Sequence, residues 1–380
     1  MIPERLLLGP GPSPIAARVM RALAEPVLSH LDPEMLRILD DVRRRLEPVF
    51  GARSDAFTFA VSGTGTSGME AAVANVTAPG ARVLVVVTGY FGQRLSQIFQ
   101  RYGAGVTEIE VEWGRAVDPA AVERALASQP ADIVAIVHAE TSTGVLNPVA
   151  EIARLASAHG ALTVVDAVTS LGGMPVKTGD WGIDVCYSCS QKGLGAPSGL
   201  APISFSARAR AQRVPSRSFY LDLQLLEDYW VNRRYHHTLS APLMYALQEA
   251  LAAVEEEGLQ ARYDRHRRHH LALTAGLDAL GLSLLPPPAE RLWTLNAVRV
   301  PDGVDEAAVR RHLLQVFNIE IGAGLGPLAG RIWRVGIMGS GSTLANVLLF
   351  LTAFERALQS AGYRARDTGA AVAAAEAAAG

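Results

Sequence analysis

The sequence predicts an α/β fold: a mixed, mostly parallel sheet flanked by helices, followed by a smaller α+β C-terminal domain. Three observations carry this. Between Ala56 and Phe205, short β-branched runs alternate with amphipathic helical stretches, the pattern of strand–helix units in a largely parallel sheet. The runs at 82–87, 133–138 and 162–166 are nearly all apolar, as strands buried on both faces must be. Past residue 205 the alternation stops and helical patterning takes over.

In chain order, strands are expected at Phe57–Val61, Arg82–Val87, Gly105–Val111, Ile133–His138, Leu162–Asp166, Val185–Ser188 and Ala201–Phe205. Helices are expected at Gly68–Val76, Gln93–Tyr102, Pro119–Ala127 and Val149–His159. A helix-rich stretch, Leu243–His270, ends in the Arg/His run from Arg265 to His270. Such a run could bind a metal or phosphate, but a solvated helix face is the favoured reading. After Pro286–Pro288 come strands Leu295–Val300 and Arg331–Ile337, with helices Glu306–Phe317 and Leu344–Ala361. This divides the chain into an N-terminal arm (1–16), a large domain (17–257), a small C-terminal domain (258–368) and an Ala-rich tail (369–380) expected to be disordered.

A chain of 380 residues has room for a large core, so a two-domain enzyme is the expectation. A net charge of −2 argues against nucleic acid or an anionic membrane as partner. No run of eighteen apolar residues appears, and the three leucines after Arg5 are too short for a signal core, so a cytoplasmic protein is expected. Cys186 and Cys189 are too few for a zinc site and read as buried, reduced thiols. Of the 35 basic residues only Lys177 and Lys192 are lysine. Arginine serves equally well at a solvated surface but cannot readily become an amine nucleophile, which directs attention to those two positions.

In parallel sheets, ligands bind beyond the carboxyl ends of the strands. After the first strand comes Ser62-Gly63-Thr64-Gly65-Thr66-Ser67-Gly68, small and hydroxyl-bearing where a helix opens, a pattern suited to phosphate. It lacks the Lys of a nucleotide P-loop. The second strand leads to Tyr90-Phe91, the fourth to Glu140-Thr141-Ser142, the fifth ends on Asp166, and the sixth leads to Gln191-Lys192. Lys177 precedes a strand and reads as exposed. Pyridoxal phosphate requires a lysine to join its aldehyde, an acid facing its ring nitrogen, a phosphate cup and a flat surface against its ring. Lys192, Asp166, Thr64 to Thr66 and Phe91 supply these at successive strand ends.

With these residues in place, the chain resembles the class V aminotransferases of pyridoxal-phosphate fold type I, and most of all their alanine–glyoxylate, serine–pyruvate and serine–glyoxylate branch. The likeness is carried by Gly9-Pro10-Gly11-Pro12, Gly63-Thr64-Gly65, Gly92-Gln93-Arg94, Glu140 to Gly144, Val165-Asp166-Ala167-Val168, Leu171-Gly172-Gly173, Ser190-Gln191-Lys192, Tyr235-His236-His237-Thr238 and Arg334-Val335-Gly336. The resemblance implies a homodimer with shared active sites. It implies that Thr64, Gly65, Thr66 and Gln191 hold the phosphate, joined by Tyr235 and Thr238 of the neighbouring subunit. Phe91 would stack on the ring, Val168 would lie against its other face, Thr141 near its oxygen, and Arg334 would hold the substrate carboxylate. Thr66 departs from animal relatives, which carry His there.

The function implied is amino transfer from alanine or serine to glyoxylate or pyruvate by a ping-pong cycle. No second cation is evident near the site, which favours small substrates over dicarboxylates. Two alternatives use the same fold. Ureidoglycine–glyoxylate transamination ranks second, since relatives of that type tend to have Asn in place of Tyr235. A cysteine desulfurase needs a mobile cysteine in the small domain, and none follows residue 189. A non-enzymatic binding protein on this fold is disfavoured by Lys192, Asp166 and Arg334 together.

Overall fold

The computed structural model describes residues 2–365, 367 and 369–380; Met1, Arg366 and Thr368, which fall in the expected arm and C-terminal domain, lie outside them. The main sheet has strands β1 (Phe57–Ser62), β2 (Arg82–Val87), β3 (Gly105–Glu110), β4 (Ile133–Val137), β5 (Leu162–Asp166), β6 (Val185–Tyr187) and β7 (Leu200–Phe205). Across the sheet they run β1-β7-β6-β5-β4-β2-β3. β7 is antiparallel to β1 and β6, and every other ladder is parallel. β4 and β5 are buried along their whole length, which is why their sequences are apolar runs rather than alternations. β3 is an edge strand that shows Glu108 and Glu110, charges that discourage pairing with another chain.

The helices that matter for the site begin earlier than their composition suggests. Helix α1 (Gly65–Val76) and helix α2 (Tyr90–Arg101) each start about one turn before the expected point. Gly, Ser and Thr have low helix propensity, so the sequence pattern excluded residues that tertiary packing holds helical. Helices α3 (Ala241–Glu257) and α4 (Leu259–Ala279) meet at Gly258, whose φ of +80° breaks the stretch in two. A three-stranded antiparallel sheet follows, β8 (Leu295–Arg299), β9 (Gly322–Ala323) and β10 (Ile332–Gly336), in the order β8-β10-β9. It packs with helix α5 (Leu344–Ser360). One core cluster spans Val19 to Val254, and a second joins Leu8 to residues between Ala272 and Ala375. Among the described residues, no helix is long and apolar enough to cross a membrane.

Two expectations are corrected. The C-terminal tail is not disordered: Ala370–Ala379 forms helix α6, with Ala371 and Ala375 fully buried. Alanine has the highest helix propensity. Gly276 of α4 also leaves room for the approach, since a Cβ there would lie 2.9 Å from Ala371 O. The Arg/His run is not a solvated face either. Arg267 and Arg268 are exposed, but His266, His269 and His270 are buried, as is Arg262. These four residues share the inward stripe of α4 with Leu273 and Leu277, at helical spacing. Arg262 uses its burial: it donates to Gly172 O at 2.7 Å, Gly193 O at 2.6 Å and Glu257 Oε2 at 2.6 Å.

His266 is held neutral. Its Nδ1–H donates to Arg262 O at 2.8 Å, and Nε2 accepts from Gly339 N–H at 3.0 Å. A proton on Nε2 would set donor against donor. Burial lowers its pKa to about 3. Below pH about 6.5 the unfolded chain takes up a proton that the folded chain refuses, so stability present above that pH is lost as pH falls toward about 3. Urea midpoints measured from pH 7 to 4 are expected to fall. His266→Gln should flatten that slope by up to about 1.4 kcal/mol per pH unit, the value of one proton.

Candidate active site

Asp166 ends β5 between Val137 of β4 and Tyr187 of β6, so the apolar strand that buries it also fixes its position. It is 2% exposed. Oδ1 accepts from Val168 N–H at 2.8 Å and Oδ2 from the Tyr187 hydroxyl at 3.0 Å. Burial pushes its pKa up to about 7 against these two donors.

Lys192 follows β6 in the loop that returns to β7. Its carbonyl accepts from Ser13 Oγ at 2.8 Å, and Arg262 grips the next carbonyl, so the backbone is held from both sides. Nζ donates to Pro10 O. Burial lowers the amine's proton affinity, and the positive charge of Arg334 adds to this. The close approach of the N-terminal arm requires Gly11: its φ is +112°, and a Cβ would lie 2.6 Å from Lys192 Cδ and Cε.

Thr64 is the N-cap of α1, so the first amides of that helix have no partner within it. A Cβ on Gly65 would lie 3.1 Å from Val168 Cγ2, so glycine keeps this wall open. These residues line a cavity of about 210 Å³ together with Gly11, Thr66, Phe91, Arg94, Asp166, Val168, Gln191 and Lys192. A larger groove beside Arg18 and Tyr245 contains none of them.

Glu140, not singled out in the sequence, organises one side. It is fully buried. Its carboxylate accepts from Gly92 N–H at 3.2 Å, Ser142 N–H at 3.0 Å and the Ser142 hydroxyl at 2.6 Å. Ser142 Oγ in turn accepts from Tyr90 N–H at 2.9 Å. Burial raises the pKa of this carboxyl, and the donors at the N-terminus of α2 oppose the shift; the hydrogen bonds orient the turn that carries Phe91. The available signal was an acid directly after an apolar strand.

Arg334 on β10 is buried, whereas Arg331 is exposed. Nε donates to Ala323 O at 2.6 Å and Nη1 approaches Thr141 O at 3.5 Å, which leaves the Nη2 end of the fork without a protein partner among the described residues. Burial lowers its pKa to about 10, opposed by Glu140 and Glu320. Thr141 Oγ1 meets Thr169 Oγ1 at 2.6 Å. The structure brings Thr64, Gly65, Thr66, Phe91, Asp166, Val168, Gln191 and Lys192 to one cavity, with Thr141 and Arg334 joined to each other beside it. It does not bring Tyr235 or Thr238 there; both are exposed on the segment before α3, Tyr235 by 62%. Lys177 is exposed, as expected. Arg94, not singled out in the sequence, also lines the cavity, because one helical turn carries it from Phe91 back to it.

These residues fit pyridoxal phosphate. Open amides begin α1 where a phosphate would sit, and an amine and a carboxylate face the same cavity. The sequence model of the family described as aminotransferase class-V matches residues 7–330. The crystal structure of ureidoglycine–glyoxylate aminotransferase from Bacillus subtilis matches with a TM-score of 0.96 at 38% identity, covering 100% of this chain and 98% of that one. That of alanine–glyoxylate aminotransferase from Nostoc sp. gives 0.92 at 44% identity, with 94% and 96% covered. The alanine–glyoxylate aminotransferase of Drosophila melanogaster is 38% identical over 369 residues, 94% of this chain and 93% of its own.

Glu140→Gln is expected to lower stability by about 1–3 kcal/mol, because the amide NH2 would then meet a buried N–H donor. The urea midpoint, compared with that of the exposed Glu123→Gln, checks this.

Proposed function

The chain belongs to the class-V aminotransferases, with the type I fold and the pyridoxal-phosphate cofactor of that family, and from this premise we propose that it moves an amino group from a small amino acid, alanine or serine, to glyoxylate or pyruvate. The observation that carries the reading is the meeting of a desolvated lysine, a buried aspartate and a half-free arginine fork around one cavity.

When bound, the cofactor supplies an aldehyde that captures an amine and a ring that takes up the electron pair left when a Cα–H bond breaks. Each residue then has a distinct task. Lys192, biased toward its neutral form by burial, would take the proton from the substrate's Cα and deliver it to the carbon of the cofactor's aldehyde. Asp166 holds the proton on the ring nitrogen, and a cation there draws the carboxyl back toward its ionised form. Thr64, Gly65, Thr66 and Gln191 receive the phosphate. Phe91 and Val168 enclose the ring from either face, and Thr141 lies near its oxygen. Arg334 offers its free edge to the substrate carboxylate, a planar match.

Tyr235 and Thr238 are assigned to the neighbouring subunit's phosphate, in a homodimer with shared sites. Their exposure in one protomer supports this, as do the exposed Phe219, Tyr220, Val231, Val27 and Leu31. Two free, buried cysteines suit a cytoplasmic enzyme.

Glyoxylate appears in the names of both kinds of relative, so the donor is the open choice. The full-length match to the Bacillus subtilis enzyme favours ureidoglycine as the second candidate. Purified enzyme given alanine and glyoxylate should produce pyruvate, at a rate exceeding that with ureidoglycine as donor. No pyruvate, and no change in cofactor absorbance with any small amino acid, would overturn the reading. Lys192→Ala should abolish turnover. Arg334→Leu should lower kcat/KM for alanine by about a hundredfold, the effect of truncating one side of a buried charge pair.

A further inference from the structure

Arg94 has no part in the assignments above, yet it lines the cavity. It stands one turn after Phe91 on α2, with its guanidinium 5.1 Å from the centroid of the Phe91 ring and 5.2 Å from that of Tyr90. Nη1 donates to Thr66 Oγ1 at 3.3 Å. No carboxylate pairs with it among the described residues, and apart from Lys192 it is the only basic residue lining the cavity.

A phosphate monoester carries a charge of about −1.5 to −2 at pH 7. The groups that open α1 are all neutral: backbone amides, two threonine hydroxyls and the amide of Gln191. An anion removed from water needs a counter-charge or it is strongly destabilised. With the cofactor bound, Lys192 would be engaged by its aldehyde, and Arg334 is bonded to Ala323 and Thr141 and is not among the residues that line the cavity. Arg94 alone combines a full charge, a cup residue as its hydrogen-bond partner and a fixed orientation. The two rings hold its plane by cation–π contact, so little side-chain freedom remains to be lost on binding.

We infer that Arg94 is the counter-charge of the phosphate cup, binding the cofactor's phosphate alongside Thr66. This rests on the cofactor reading above. It also assigns the second cation to the cofactor and not to an acidic substrate side chain, so its presence does not widen the substrate range to dicarboxylates.

Equilibrium dialysis of the full-length enzyme against pyridoxal phosphate and, separately, against pyridoxal tests the inference without reference to turnover. Arg94→Met should raise the dissociation constant for pyridoxal phosphate by about ten- to a hundredfold, the range for losing a charged hydrogen bond. Pyridoxal, which has no phosphate, should bind the variant as it binds the wild type, and inorganic phosphate should compete less well. Arg94→Lys, which restores charge without the planar fork, should recover part of the loss. Equal weakening toward pyridoxal and its phosphate would overturn the inference and make Arg94 a support for Phe91. Unchanged binding of both, with a raised KM for aspartate alone, would overturn it in favour of a substrate role. Failure of the wild-type protein to bind pyridoxal phosphate would instead remove the cofactor reading itself.

Discussion

The structure depends on keeping ionisable groups buried at the inner end of a cavity, Asp166 and Lys192 above all. Asp166 shows the cost most clearly. Its carboxyl lies at the end of a fully buried strand, and burial moves its pKa up to about 7 although both oxygens are hydrogen-bonded. A carboxyl so placed is stabilised by any cation that comes to lie against it. The same desolvation lowers the amine of Lys192 and the guanidinium of Arg334. The site is therefore poised electrostatically before any ligand arrives, and its charged groups depend on one another.

That dependence requires rigid spacing, and the backbone provides it by joining the two halves of the chain. The N-terminal arm runs between them. Leu6–Leu7 pairs in parallel with Ile319–Glu320, and Gly336 N–H donates to Leu8 O at 2.8 Å. A few residues later Ser13 N–H donates to Gln191 O at 2.9 Å, and its hydroxyl reaches Lys192 O. Ser340 Oγ then donates to Pro14 O at 2.6 Å. The strand of Arg334 and the loop of Lys192 are thus tied through one short segment, and α4 adds a second tie through Arg262. This explains the burial of Arg262 on α4: its donors are spent on the carbonyls of Gly172 and Gly193, beside Lys192.

The sheet was readable because burial on both faces writes itself as apolar runs, and strand ends then pointed to Asp166 and Lys192. Thr64 to Thr66 were found by their small size and hydroxyls. Arg334 was not distinguishable from Arg331 by pattern, since only the register of β10 decides which faces inward, and the resemblance supplied it. Glu140 and Arg94 lie within segments that carry the resemblance, but nothing in their sequence pattern assigns them a role. A buried carboxylate at a helix start and a cation one turn beyond an aromatic ring become visible only once α2 is placed. The inward histidines of α4 were misread because composition outweighed spacing, although Arg262, His266, Leu273 and Leu277 lie on one stripe. The same preference for composition over propensity misjudged α6.

The scarcity of lysine takes its meaning from the contrast between two cations of this site. Both are buried and both are shifted downward. The guanidinium starts high enough that a fall to about 10 leaves it charged at neutral pH, so Arg334 remains a reliable partner for a carboxylate. An ammonium starts about two units lower, and the same environment brings it within reach of its neutral form, which is the form that can form a bond or take up a proton. Arginine at position 192 would keep its charge and could do neither. Exchanging the two residues would leave the net charge unaltered while depriving each position of the one property its place in the fold requires.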